Sequence, residues 1–158
     1  MIGFAGILQS AVLSRLPLIN GMADILMLLI VGWTIQPYVK YPWMWVFIAS
    51  LVSTIISAMT IGITPLAYGF VFVTALFLRQ RFWKARLLTM IALSLFGTIL
   101  VHAFSFFTII FQGNLFSFPE AFYLITLPSM LLNLVFAVPV YAITRELVKW
   151  IYPEKIEV

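Results

Sequence analysis

Six apolar stretches, at about residues 2–14, 22–36, 43–61, 65–80, 86–111 and 121–151, run along the chain, and the residues between them are those that turn or stop a helix. Arg15-Leu16-Pro17 with Asn20-Gly21 separates the first two. Gln36-Pro37 with Pro42, Gly62 to Pro65, the run Arg79 to Arg86, and Gln112-Gly113-Asn114 with Pro119 separate the rest. A hydrocarbon core about 30 Å thick asks for about 20 helical residues. The pattern therefore predicts an all-α integral membrane protein, one polytopic domain over 1–158 with six transmembrane helices. Residues 2–14 would rise only about 20 Å as a helix, so that segment is expected to be an incomplete or oblique span.

Composition narrows the class. Of 158 residues, 64% are hydrophobic and 9% charged, with a mean hydropathy of +1.14, where soluble domains carry about a quarter charged residues. With no cysteine, disulfides, thiolate catalysis and cysteine-ligated metals are excluded. The apolar start, Met1 to Leu13, lacks the basic opening and small-residue cleavage site of a signal peptide and is read as a retained helix. Sorting charges by loop places every basic residue except Arg15 on one side: Lys40, Arg79, Arg81, Lys84, Arg86, Arg145, Lys149 and Lys155. The positive-inside rule makes that side cytoplasmic, with both termini there. Trp43, Trp45, Trp83 and Trp150 fall at the same boundaries, with Trp33 near them.

Helix association in lipid relies on small residues. The third span carries two stripes, Ala49, Ser53, Ser57 and Ser50, Thr54, Ala58, and the first carries Gly6, Ser10 and Ser14. These predict broad buried faces for packing, with a groove for a ligand or partner helix as the alternative. In the last span, Pro128 and Pro139 each remove an amide donor and predict two bends. Between them Ser129, Asn133 and Ala137 form a ridge at fourfold spacing, and Asn133 near mid-membrane must face protein, either another span or another subunit. His102 reads as a hydrogen-bonded packing residue before a proton relay. Asp24 and Arg15 flank the first outer turn as a possible pair, and Glu120 opens the last helix where the macrodipole favours its charge. The run Arg79-Gln80-Arg81-Phe82-Trp83-Lys84-Ala85-Arg86 reads as topology setting and attraction to anionic lipid, with docking of a cytoplasmic protein as the alternative.

With one histidine and few carboxylates, the spacing offers no metal cluster, nucleophile–base pair or phosphate loop. No enzymatic activity, cofactor, metal or nucleic-acid partner is expected.

In order, the segments resemble the rod shape-determining protein MreD family. Leu8-Gln9-Ser10, Arg15-Leu16-Pro17 and Ala23-Asp24-Ile25-Leu26-Met27-Leu28-Leu29 are similar to that family's first turn and leucine-rich second span. Ile63-Thr64-Pro65-Leu66 is similar to its central turn, and Leu127-Pro128-Ser129-Met130-Leu131-Leu132-Asn133 through Val138-Pro139-Val140-Tyr141 to its closing helix. Ala23 stands where the family often has proline, and Thr54 or its neighbour where many members have an acid.

The resemblance implies a six-span fold like the substrate-binding subunits of energy-coupling factor transporters. It also implies a non-enzymatic adaptor of the cell-elongation (Rod) machinery, supporting cell shape and peptidoglycan synthesis. The implied partners are MreC, a single-span coiled-coil protein, and, directly or indirectly, RodA, its class B penicillin-binding protein and MreB. Candidate partner-binding residues are Asp24, Ser129 and Asn133, with Arg79, Arg81, Lys84 and Arg86 for a cytoplasmic contact. The rival reading is a small-molecule binding subunit of an energy-coupling factor type transporter.

Overall fold

Among the described residues, the chain coils between the turn residues into five helices: α1 (Ile25–Thr34), α2 (Pro42–Ile56), α3 (Ile63–Arg81), α4 (Arg86–Phe111) and α5 (Phe118–Ile151). The computed structural model describes residues 21–56, 63–82, 85–113 and 117–152. The expected first span with Gly6, Ser10, Ser14 and Arg15 lies outside these residues, as do Ser57, Ala58, Trp83, Lys84 and Lys155. Helices α3, α4 and α5 are long and apolar enough to cross a membrane, and α1 and α2 are shorter apolar helices.

Helix α1 departs most from the sequence expectation. Instead of a span over 22–36 it has 10 residues, all buried, and rises about 15 Å, half a hydrocarbon core. It packs against all four other helices, while α2, α3, α4 and α5 follow one another around it, each touching the next. A run that is apolar all round is what a helix enclosed by other helices requires. Leu26, Met27, Leu28 and Val31 are fully enclosed with Val71, Met90 and Leu93. The outer faces are the reverse of a soluble protein's. Phe47, Phe77, Phe111, Val135 and Ile143 stand exposed on the surrounding helices, a surface suited to lipid rather than water.

The described part of the small-residue stripes of α2 is buried as its spacing implies. Ala49, Ser50 and Ser53 are buried on α2, where Ser50 and Thr54 turn their hydroxyls back onto Val46 and Ser50 carbonyls. Helix α5 treats its two prolines differently. The Pro128 ring would crowd the Leu124 carbonyl, and Leu124 lies in a π-helical turn, Phe122–Thr126, where Leu127 N–H bonds back to Phe122. At Pro139 the helix runs on unbroken. Glu120, in the first turn of α5 beside Pro119, is placed favourably for the helix dipole.

Trp33 is only 2% exposed and packs on Trp45, ring centres 4.8 Å apart. Trp43 and Trp150 are exposed.

Gly97 marks a close approach of α4 to α1, since a Cβ there would lie 2.7 Å from Met27 Sδ. That atom belongs to a flexible thioether side chain, which can give way. Gly97→Ala also gains about 1 kcal/mol of helix propensity. Its stability in denaturant titration is expected to stay within about 1 kcal/mol of the parent.

Candidate functional site

Asp24, Ser129 and Asn133, singled out from the sequence, meet where the non-helical stretch before α1 lies against α5. Met22 N–H donates to Ser129 Oγ at 3.0 Å, and Asp24 N–H donates to Asn133 Oδ1 at 2.7 Å. The register follows from geometry. A chain not coiled into a helix advances about 6–7 Å over two residues, and Ser129 and Asn133, four apart, are offset about 6 Å along α5. Alternate amides of one segment thus meet successive turns of the other.

Depth explains why the side chains must be polar. Asn133 lies near the middle of α5, and Thr98, which accepts a 2.8 Å hydrogen bond from Asn133 Nδ2, near the middle of α4. Helix α1 therefore begins at mid-bundle. Non-helical backbone at that depth is tolerated only where protein groups satisfy it, and Ser129 and Asn133 are those groups. Asn133 is 1% exposed, so its amide is committed within the chain.

Asp24 closes the arrangement. Its carboxylate caps α1 by accepting from Met27 N–H at 3.0 Å, placing negative charge at the positive end of the helix dipole. The same oxygen accepts from Tyr68 Oη at 2.6 Å. Because Tyr68 spends its proton there, Ser53 Oγ, 3.2 Å away, is the donor to Tyr68. One network thus ties α1 to the four other described helices: α2 through Ser53, α3 through Tyr68, α4 through Thr98 and α5 through Asn133. Tyr68 and Thr98 were not singled out from the sequence. The available signal was a hydroxyl within each of the spans 65–80 and 86–111, Tyr68 near the start of one and Thr98 near the middle of the other. His102, nearer the C-terminal end of α4, has Nδ1 3.1 Å from Thr126 Oγ1 and sits edge-on to Phe106.

The basic candidates gather at the opposite end of α1. Arg79 folds over its C-terminus, with Nη2 donating to the Pro37 carbonyl at 2.6 Å and Nη1 to those of Thr34 and Val39 at 3.3 and 3.4 Å. The Thr34 carbonyl belongs to the last turn of α1, where helices leave acceptors unpaired and favour a cation. Arg79→Ala is expected to cost about 1–2 kcal/mol in denaturant titration. Arg79→Lys should recover less than half of it, because an ammonium cannot fork between carbonyls.

Arg81 is exposed, Arg86 is half-buried at the start of α4, and Lys84 is outside the described residues. The structure thus joins Asp24 and Asn133 in one network, places Ser129 one turn away against Met22, and sets Arg79 and Arg86 at the other end. Among the described residues no group of three or more His, Cys, Asp or Glu side chains is placed to hold a metal ion.

Comparison of the chain with protein-family models, curated proteins and solved structures finds no match.

Proposed function

We propose that this chain is a non-enzymatic membrane adaptor of the bacterial cell-elongation machinery, of the MreD type. It binds the transmembrane helix of MreC and through it supports wall synthesis by RodA and its class B penicillin-binding protein alongside MreB. The observation that carries the reading is that two of the segments that resemble MreD are bonded to each other. Asp24, in the Ala23-Asp24-Ile25 segment, donates through its amide to Asn133, in the Leu127 to Asn133 segment. A likeness of unrelated apolar stretches has no reason to converge on one hydrogen bond.

On this reading Asp24, Ser129 and Asn133 serve the partner indirectly, by fixing the half-length helix that holds the bundle's shape. The exposed apolar faces of the surrounding helices receive the partner's span. Exposed Arg81 faces the filament side. Six spans, with both termini in the cytoplasm and the basic end inside, belong to the same proposal.

The test is affinity purification of the tagged protein from its native membranes in mild detergent, with the retained proteins identified by mass spectrometry. Stoichiometric recovery of a single-span coiled-coil protein is the expected result. Recovery of a membrane coupling protein with paired ATPases would replace the proposal with solute uptake.

A further inference from the structure

Where α1 ends, the bundle opens into a pocket of about 460 Å³, within the range of about 300–1,000 Å³ usual for small-molecule sites. Arg86, Arg145 and Lys149 contribute three cations to its wall, with Gln36, Tyr38 and Tyr152 beside them. Gln36 is 2% exposed, yet its Nε2 has no hydrogen-bond partner among the described residues. A buried amide donor left unmade costs about 1–3 kcal/mol, which an acceptor entering the pocket would remove. Arg86 is the first residue of α4, whose N-terminus carries no side-chain cap, so the helix adds a field of the same sign. Glu146 occupies Arg145 and Lys149 at 3.1 Å each. All three side chains are at least half exposed, so those pairs are weak and readily exchanged.

We propose that this pocket binds the phosphate of an anionic lipid headgroup. Two features favour a lipid over a soluble phosphate. The pocket is at the end of helices whose outer faces suit acyl chains, and exposed Trp150 lies next to Lys149 at the level where amphipathic rings sit. Three cations between helix ends, with an amide donor behind them, form a defined site and not merely a basic surface.

The test uses the full chain purified in neutral detergent, titrated with short-chain phosphatidylglycerol, with phosphatidylcholine and with inorganic phosphate, and read by native mass spectrometry. Phosphatidylglycerol is expected to bind at least tenfold more tightly than phosphatidylcholine. Arg145→Gln and Lys149→Gln are each expected to weaken it about fivefold. Arg81→Gln, the same charge change outside the pocket, should leave it within about twofold. Glu146→Gln, which releases both cations, is expected to tighten binding about twofold to fivefold, a gain that misfolding cannot imitate. Equal weakening by Arg81→Gln and Arg145→Gln would overturn the site in favour of diffuse attraction. Inorganic phosphate binding as tightly as the lipid would overturn the lipid assignment.

Discussion

Asn133→Leu is expected to lower the unfolding free energy by about 2 kcal/mol, the cost of leaving a buried backbone donor unpaired. The substitution keeps the branched outline of the side chain but removes the acceptor for Asp24 N–H and the donor to Thr98. Thr98 keeps its bond to the Ser94 carbonyl, so most of the loss falls on the Asp24 amide, which has no water to turn to at mid-bilayer depth. Hydrogen bonds between membrane helices are individually modest, about 0.6 kcal/mol on average; this one is larger because it serves backbone that is not helical. The measurement is reversible unfolding in mixed micelles. A variant as stable as the parent would show that the amide finds another acceptor, and the account of Asn133 as the group that lets α1 start inside the membrane would fail. Loss of partner retention at unchanged stability would instead place Asn133 at an interface between subunits.

Gly21→Ala is expected to cost about 2–3 kcal/mol, the upper part of the range for inserting a methyl group into a packed site. A Cβ at position 21 would lie 2.6 Å from Pro128 Cβ and 2.9 Å from both the Pro128 carbonyl carbon and the Ser129 nitrogen. Two of those atoms are helix backbone and the third belongs to a closed ring, so nothing can swing aside. The contrast with Gly97 is the informative part: both sites are crowded, but only Gly97 faces a side chain that bends. Gly21→Ala should also lengthen the Met22 and Asp24 contacts to α5, so combining it with Asn133→Leu should cost less than the sum. If unfolding of Gly21→Ala coincides with that of the parent, the close approach to Pro128 is not what positions the segment.

Much of the architecture could be read along the chain. The expected span 86–111 and the helix Arg86–Phe111 share their bounds, and 65–80 differs from Ile63–Arg81 by one or two residues at each end, because charged or proline-bearing turns mark those limits. Helix α1 could not be read in the same way. A stretch of leucines and isoleucines looks alike whether lipid or other helices surround it, and only the packing partners decide. Asp24 illustrates the point. Beside Asn20-Gly21 it reads as an interfacial turn residue, whereas its depth is set by Asn133, whose separation of 109 residues no local pattern reveals. Ser129 and Asn133 were legible as a polar ridge that had to face protein. Their actual partners, backbone amides, leave no mark in side-chain identity. Gln36 and the cations of α5 were each visible, but not that a turn after α1 brings them around one pocket.

The bonds from Met22 to Ser129 and from Asp24 to Asn133 span 107 and 109 residues, which has a consequence for biogenesis. At synthesis rates of about 5–20 residues per second, α1 exists for roughly 5–20 s before the helix that houses it leaves the ribosome. A helix half the thickness of the bilayer cannot settle alone as a span, so throughout that interval it must wait at the membrane surface or be sheltered by the insertion machinery. Helix α5, made long after α1, is what closes it, and a chain that stops short of α5 leaves α1 unhoused, a natural signal for quality-control proteolysis.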